Sequence, residues 1–308
     1  MKKVIVIVGP TASGKSELAQ RMAEVLDGEV ISADSMQIYR GLDIGTGKLK
    51  EGERRVPHFG IDILDPGLPY SAALFQDYAR KCISDIESRG KQPILCGGTG
   101  FYIKSVIDDY SFSDGEQKDN PIRQQFEEMS KKMSNKELWE ALREVDTKSA
   151  EVIEVNDVKR VIRALELNAR EESYAENKER LQTIPELIPS IWIGLKVDPE
   201  ILAKRISDRV DKMIEDGLVE EVEGLLDSGF RDALCSPKAI GYKEIIEYLD
   251  GKCTLSQAIE DIKTNSRRYG KRQRTWFRSE ARIHWIEANI PNFDKIASES
   301  LRIASEQF

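Results

Sequence analysis

The chain has 308 residues, of which 40% are hydrophobic and 32% are charged, and its formal net charge is −8. This length and balance are typical of a globular protein with one large domain or two modest ones, and they exclude a disordered chain. The acidic balance excludes nucleic-acid binding through overall charge, so any such contact requires a local basic patch.

The first third of the chain predicts alternating strands and helices. Val4–Val8 is a continuous β-branched run, as a buried parallel strand requires, and helical spacing of apolar residues follows over 16–26. Strands are predicted over 29–35 and 92–98, with a helix over Ala72–Ser88 between them. This alternation predicts an α/β fold, a P-loop-type parallel sheet flanked by helices.

The middle of the chain has a different character. Residues 121–180 show only charged helical patterns, and an apolar strand-like run returns at 190–197, before a further helical pattern from 199 onward. We predict an inserted all-helical domain at 116–189 within a catalytic core made of 1–115 plus 190–308. The alternative is a set of ordinary surface helices on a single domain.

Several classes of protein are disfavoured by particular residue types. No apolar stretch approaches the roughly 20 residues that span a bilayer, and the apolar run after "MKK" is too short for a signal peptide. Two histidines and four widely spaced cysteines make a histidine metal centre, a zinc site or a disulfide framework improbable. We therefore expect a cytoplasmic protein without a membrane segment, acting as a monomer.

The sequence "GPTASGKS" fits the phosphate-loop pattern G-x-x-x-x-G-K-[ST] between a predicted strand and a predicted helix. Backbone amides of such a loop surround phosphate oxygens at a helix N-terminus. Lys15 would supply a point charge and the Ser16 hydroxyl would bind Mg²⁺. The residues predicted to bind phosphate are Gly9, Pro10, Thr11, Ala12, Ser13, Gly14, Lys15 and Ser16. The alternative is a tight strand-to-helix turn.

Polar residues follow the other predicted strands. Asp34 ends the second strand, where small-molecule kinases place a carboxylate that accepts a proton, although it could instead cap the next turn. Thr99 lies in "GGTG" after the third strand, at the edge where open α/β sheets bind ligands. Arg205 and Arg209 are spaced to share one helix face and could hold a diphosphate, or pair with nearby acids.

The C-terminal stretch 263–282 is the most basic part of the chain, with one acid, Glu280. On a helix its cations form one stripe, with Ile262, Tyr269 and Trp276 favouring the opposite side. Such a stripe is suited to a nucleic-acid backbone and such rings to stacked bases, whereas the alternative is a solvated face over core aromatics. The stripe consists of Arg267, Lys271, Arg274 and Arg278.

These stretches together resemble the tRNA dimethylallyltransferase family, also called tRNA isopentenyltransferases. The similar segments run through nearly the whole chain: "GPTASGKS" (9–16), "ISADSMQIYRGLDIGTGK" (31–48), "VPHFGIDILDP" (56–66), "YSAALFQDYA" (70–79), "RGKQPILCGGTGFYIKS" (89–105), "DVKRVIRALE" (157–166), "RISDRVDKMIEDGLVEEV" (205–222), "AIGYKEIIEYLDG" (239–251) and "KRQRTWFR" (271–278).

The resemblance implies a prenyl transferase that moves a dimethylallyl group from dimethylallyl diphosphate to the exocyclic amine of the adenosine 3′-adjacent to the anticodon. The phosphate loop would then hold a leaving diphosphate with Mg²⁺, and the helical insertion would contact the anticodon stem-loop of the tRNA. Asp34, Thr99, Lys15, Arg205 and Arg209 would be the catalytic residues. The expected tRNA contacts are Asp34, Ser35, Met36, Gln37, Thr99, Lys159, Arg160, Arg163, Lys271, Arg272, Arg274 and Arg278.

Three other functions share part of this pattern. A P-loop small-molecule kinase would use the same loop and Asp34, but it leaves the basic C-terminal stretch without a function. An adenylate isopentenyltransferase would use the same donor with a free nucleotide as acceptor. A nucleotide-switched RNA-binding protein would bind GTP or ATP tightly and form no product.

Overall fold

The computed structural model describes residues 2–112, 120–227, 230–232, 238–290 and 292–307. The chain divides into two units, which we call the core unit, Met1–Asp108 with Leu187–Phe308, and the insertion unit, Asp109–Glu186.

The core unit contains a parallel sheet with six strands among its described residues. The strands are β1 Val4–Val8, β2 Gly28–Ala33, β3 His58–Phe59, β4 Gln92–Gly97, β5 Ser190–Lys196 and β6 Ile283–Glu287. Their order across the sheet is β3-β2-β4-β1-β5-β6, and every pair is parallel. The predicted fold class is confirmed.

The helices of the described residues are α1 Lys15–Leu26, α2 Ala72–Ser88, α3 Gly100–Ile107, α4 Pro121–Lys132, α5 Asn135–Val145, α6 Thr147–Glu151, α7 Val158–Asn168, α8 Tyr174–Thr183, α9 Pro199–Glu215, α10 Leu218–Asp227, α11 Tyr242–Leu249, α12 Leu255–Arg278 and α13 Phe293–Gln307. Single-turn 3-10 helices occur at Glu51–Glu53 and Phe230–Asp232.

Helices cover both faces of the sheet because alternate residues of a strand point to opposite faces. From β1, the side chains of Ile5 and Ile7 pack in a core with α1, α9 and α13. Val6 and its neighbours on the other face pack with α2 and α3. A third core joins α9–α12 to the segment 36–44 that follows β2.

The carboxyl ends of β1, β4 and β2 meet at one edge of the sheet. Gly97, the last residue of β4, pairs with Val8 of β1 and with Ala33 of β2. A Cβ at Gly97 would lie 2.2 Å from the Ala33 carbonyl oxygen, so this close approach requires glycine. The loops that follow these three strands are therefore neighbours.

The regular elements among the described residues of the insertion unit are all helices, α4 to α8. The unit has its own apolar core, to which Leu138, Leu142, Val161 and Leu165 contribute. The first predicted domain boundary, between 115 and 116, lies outside the described residues. The second, between 189 and 190, compares with an observed division between Glu186 and Leu187.

Candidate active site

The phosphate loop connects β1 to α1 in the conformation that an anion site requires. Gly14 has φ +93°, and a Cβ there would lie 2.5 Å from the Phe293 ring, so only glycine fits. Ala12 has φ +61°, an unusual left-handed conformation for alanine. No described side chain caps α1, so its first amides are available to a ligand.

Two polar groups of this loop are incompletely satisfied in a way that favours binding of an anion. The Ser13 hydroxyl is buried without a hydrogen-bond partner among the described residues. Lys15 Nζ donates to the Pro10 carbonyl at 2.8 Å. Burial lowers the pKa of Lys15 to about 8, against the charge of Asp34, which raises it. Phosphate oxygens would accept a hydrogen bond from the unpaired hydroxyl and supply a negative charge to the desolvated ammonium group.

Asp34 and Thr99 are brought together by the two neighbouring loops. Asp34 Oδ1 accepts a hydrogen bond from the Met36 amide at 2.9 Å, and Thr99 Oγ1 accepts one from the Ser35 amide at 3.3 Å. Burial lowers the pKa of Lys15 and of Arg209, and the negative charge of Asp34 partly opposes this by raising both values. The Asp34 carboxylate therefore lies near both cations. The alternative that Asp34 caps the turn after β2 is therefore also correct, since its carboxylate accepts the Met36 amide hydrogen bond within that turn.

A cavity of about 280 Å³ opens at this edge of the core unit. Its polar lining combines the phosphate loop, the turn after β2 and α9, and it is closed by apolar residues of α9 and α12. The residues that line it include Thr11, Asp34, Ser35, Met36, Arg209 and Tyr269. The lining residues include one anion, Asp34, and three cations, Arg209, Lys238 and Arg272. Charged groups beside an apolar wall suit a charged substrate with an apolar tail.

The two arginines of α9 have different environments. Arg209 lines the cavity and donates to the Thr46 carbonyl at 3.0 Å, and burial lowers its pKa. Arg205 instead donates to the carbonyls of Ala288 and Asn289, at 2.9 and 2.8 Å. The structure therefore does not bring Arg205 to the cavity, contrary to the expectation of a diphosphate contact, because the end of β6 uses its guanidinium.

Gln37 lies beside the site rather than in the cavity. The Ser32 hydroxyl donates to its Oε1 at 3.0 Å. A second, much smaller cavity is lined by Gln37 together with Ser16, Ser32, His58 and Cys96. Ser16 is exposed at the start of α1, so its hydroxyl is open to a ligand.

The segment 43–46, which follows the turn after β2, is held in place by Glu221 of α10. Its carboxylate accepts hydrogen bonds from the successive amides of Asp43, Ile44 and Gly45, at 3.1, 2.7 and 3.2 Å. The Tyr242 hydroxyl donates to the same carboxylate at 2.5 Å. This arrangement fixes the segment whose Thr46 carbonyl binds Arg209.

Two site residues of α12 were not predicted from the sequence. Tyr269 was expected only as an aromatic residue, yet it lines the cavity and its hydroxyl interacts with Thr99 and Gln273. Burial and the nearby Asp34 raise the pKa of Tyr269 to about 12. Gln273 is buried and reaches two loops. The helical period of α12 places both residues one turn apart on its buried face, and that spacing is the signal that could have identified them.

The exposed face of α12 carries unpaired cations. Lys271, Arg272 and Arg278 are exposed and Arg274 is half-buried, and none forms an ion pair with a described residue. One detail of the predicted stripe is wrong. Arg267 turns inward to Thr264 and Ser207. Trp276 lies on the side of α12 opposite the cations, as predicted, but it is 43% exposed and so is not a core residue.

The predicted RNA contacts of the insertion unit differ in availability. Lys159 is exposed and has no ion-pair partner among the described residues. Arg160 pairs with Asp157, and Arg163 binds the buried carboxylate of Glu166 at 2.6 Å. Arg163 therefore contributes to the structure of the unit, whatever else it contacts.

Two further kinds of site are absent from the part of the chain that the structure describes. It contains no group of three or more His, Cys, Asp or Glu side chains placed to hold a metal ion. None of its helices is both long enough and apolar enough to cross a membrane.

Comparisons with known proteins cover nearly the whole chain. Residues 37–280 match the family model described as IPP transferase, and residues 2–56 match that described as isopentenyl transferase. The tRNA dimethylallyltransferase of Carboxydothermus hydrogenoformans is 45% identical over 302 residues, which are 97% of this chain and 96% of that protein. The corresponding protein of Bacillus mycoides is 47% identical over 287 residues, 93% of this chain and 90% of its own.

Solved structures with the same fold carry similar names. The tRNA delta(2)-isopentenylpyrophosphate transferase of Staphylococcus epidermidis has a TM-score of 0.73 at 39% identity, covering 99% of this chain and 100% of that one. A eukaryotic dimethylallyltransferase acting on tRNA has a TM-score of 0.82 at 30% identity, covering 98% and 78%.

Proposed function

Because this chain belongs to the tRNA dimethylallyltransferase family, we propose that it transfers a dimethylallyl group from dimethylallyl diphosphate to tRNA, releasing diphosphate. The acceptor is the exocyclic amine of the adenosine 3′-adjacent to the anticodon. The observation that carries the proposal is one cavity in which the phosphate loop, Asp34 and Arg209 meet.

The phosphate loop holds the leaving group in this proposal. Ionisation of an allylic carbon is favoured when the charge on the departing diphosphate is neutralised. Lys15, Arg209, the uncapped amides of α1 and the Ser13 hydroxyl would supply that neutralisation, as the buried ammonium of Lys15 and the unpaired Ser13 hydroxyl support. Mg²⁺, with Ser16 as one oxygen ligand, would add further charge neutralisation on the diphosphate oxygens.

Asp34 is the proton acceptor in this proposal. The adenine amine is a weak nucleophile because its lone pair is delocalised into the ring, so it must lose a proton as the new bond to carbon forms. The Asp34 carboxylate lines the cavity and is held in place by the Met36 amide. Thr99 lies next to it and would donate its hydroxyl to the diphosphate.

The exposed face of α12 supports RNA as the acceptor. Its unpaired cations can neutralise backbone phosphates of the anticodon stem-loop, and Lys159 of the insertion unit can add a further contact. A loop base is cheaper to extrude than a paired one, and the cavity can receive it between Ser35, Met36 and Asp34. Gln37 would then read the base from the neighbouring turn. The proposal includes a monomeric protein acting in the cytoplasm.

A P-loop kinase would use the same loop and the same aspartate, so the reaction itself must be measured. Purified protein, Mg²⁺ and dimethylallyl diphosphate labelled in the prenyl group are incubated with three acceptors. These are an unmodified tRNA with adenosine next to the anticodon, the same tRNA with that adenosine replaced, and AMP. We expect label only in the first acceptor.

Other outcomes identify the alternatives. Label in AMP would indicate the adenylate branch. Absence of label from all three acceptors, together with phosphoryl transfer from ATP, would indicate a kinase and overturn the proposal.

A further inference from the structure

Gln273 joins the two loops of the candidate site through its side-chain amide. Its Oε1 accepts a hydrogen bond from the Thr11 amide of the phosphate loop at 2.8 Å. Its Nε2 donates to the Gly98 carbonyl, after β4, at 3.0 Å. The side chain is only 6% exposed, so both bonds are shielded from water.

The residues around the Gln273 amide leave room for it and contact it. A Cβ at Gly98 would lie 2.1 Å from Gln273 Nε2, so any larger residue at 98 would displace the amide. The Tyr269 hydroxyl, which also interacts with Thr99, interacts with the Gln273 side chain. One buried side chain of α12 thus contacts the loop that binds the donor and the turn that contains Thr99.

We propose that Gln273 is a positioning residue for prenyl transfer, fixing the phosphate loop at a set distance from the turn 98–99. This inference rests on the proposed function. Transfer requires the allylic carbon and the attacking amine to be aligned, and a displacement of about 1 Å can cost on the order of 10² in rate. Gln273 and the exposed cations that we assign to tRNA binding lie on the same helix, α12.

Few side chains can replace Gln273, because one atom must accept a hydrogen bond and another must donate one. Methionine has a similar length but makes neither bond. An ionised glutamate accepts from the Thr11 amide but faces the Gly98 carbonyl with a second acceptor. A protonated glutamic acid restores both bonds, since its C=O accepts and its O–H donates.

The test uses the full chain with the variants Gln273→Met and Gln273→Glu. Gln257→Glu is the control, since Gln257 is exposed on the first turn of the same helix, away from the cavity. kcat and KM for transfer from dimethylallyl diphosphate to tRNA are measured between pH 5.5 and 8, as ratios to the wild type at each pH. The ratios divide out any pH dependence that the variants share with the wild type through the charged and ionisable groups around the site, which are Lys15, Asp34, Arg209, Tyr269 and Arg272.

We expect Gln273→Met to lower kcat on the order of 10-fold to 100-fold at every pH, with a smaller change in KM for tRNA. Gln273→Glu should match it at pH 8 and recover toward the wild type as the pH falls, because burial and the Gly98 carbonyl raise the pKa of the new carboxyl. Gly98→Ala displaces the same amide from the other side, so it should lower kcat by a similar factor. It serves as the test if the Gln273 variants fail to fold.

The inference is overturned if the Gln273→Glu ratio follows that of Gln257→Glu at all pH values. Wild-type turnover in folded Gln273→Met or Gly98→Ala would overturn it as well. Failure of the proposed function is distinguishable, because then the wild type itself would not label tRNA.

Discussion

Arg209 and Arg205 lie one turn apart on α9, but only Arg209 lines the cavity, whereas Arg205 binds two backbone carbonyls. Arg209→Gln removes a cation from the cavity, so we expect KM for dimethylallyl diphosphate to rise by about tenfold or more. Arg205→Gln removes the two hydrogen bonds that Nη2 donates to the carbonyls of Ala288 and Asn289, which should lower the free energy of unfolding by about 1–3 kcal/mol. Steady-state kinetics and thermal unfolding of both variants check this, each serving as the control for the other. A raised KM in Arg205→Gln alone would reverse the assignment.

Asp34→Asn tests the proposed proton acceptor with little change of shape. The amide oxygen of asparagine can still accept the hydrogen bond from the Met36 amide, so the turn should persist. We expect kcat to fall on the order of 10² or more, with nearly unchanged tRNA affinity. Asp65→Asn is the matched control, since Asp65 is exposed and forms a surface ion pair with Arg40. An equal loss of tRNA binding in Asp34→Asn would contradict the role of a base.

Lys15 makes donor binding depend on pH. Its pKa of about 8 means that the ammonium is charged below that value and loses its proton as the pH rises through it. A diphosphate ester favours the charged form, so affinity should be greatest near pH 7, where the ammonium is charged and the ester is ionised, and then fall by up to about tenfold per pH unit above 8. Calorimetry with isopentenyl diphosphate, which is not allylic, measures this without turnover. Lys15→Arg should abolish the decline, and a decline that persists would assign it to another group.

The reactive groups were easier to predict from the sequence than the groups that hold them in place. The phosphate loop and Asp34 belong to a local pattern of strand, loop and helix, so short-range spacing identifies them. Tyr269 and Gln273 lie far along the chain and reach the site only because α12 packs against it. Arg205 and Arg209 were indistinguishable because the carbonyls that bind Arg205 follow a strand that was not predicted.

At the scale of elements, α12 presents buried contacts on one face and unpaired cations on the other. Lys271→Ala combined with Arg274→Ala should weaken tRNA binding and reduce the slope of log K against log salt by about 0.7–0.9 for each phosphate that the variant no longer neutralises. The matched control is Lys204→Ala with Lys212→Ala on α9, whose lysines are exposed and already paired with Asp208 and Asp216. Filter binding at several salt concentrations measures both. An unchanged slope would remove α12 from the interface.

The strands that were not predicted from the sequence are the two edges of the sheet. β3 has only two residues, too few for a periodic pattern. β6 reads "IHWIE", in which only the first and fourth residues are buried, so it shows neither a continuous apolar run nor strict alternation. The central strands β1, β4 and β5 are buried almost throughout and were predicted within one residue of their observed bounds.

At the scale of the whole molecule, the acidic chain must bind an acidic polymer through a few local surfaces. The formal net charge of −8 opposes a general attraction to RNA. The cations that lack ion-pair partners among the described residues include Lys271, Arg272, Arg274 and Arg278 of α12 and Lys159 of the insertion unit. Affinity for tRNA should therefore depend on both units, whereas affinity for the donor should depend on the core unit alone.

The insertion unit can be removed to test this division of labour. The chain leaves and re-enters the core unit at one place, since the amides of Leu187 and Ile188 both donate to the Ile107 carbonyl, at 2.9 and 3.0 Å. A short Gly-Ser linker from Asp108 to Leu187 can therefore replace residues 109–186 without crossing the sheet. Among the described residues, the cores on both faces of the sheet contain none from the insertion unit.

We expect the shortened protein to fold and to bind isopentenyl diphosphate with the affinity of the full chain. Its affinity for tRNA should fall by about tenfold or more, because the cations of the insertion unit no longer neutralise backbone phosphates. Calorimetry with the diphosphate ester and filter binding with tRNA measure the two affinities in the same preparation. Loss of diphosphate binding in a folded variant would mean that the insertion unit shapes the donor site. Unchanged tRNA affinity would confine RNA recognition to the core unit.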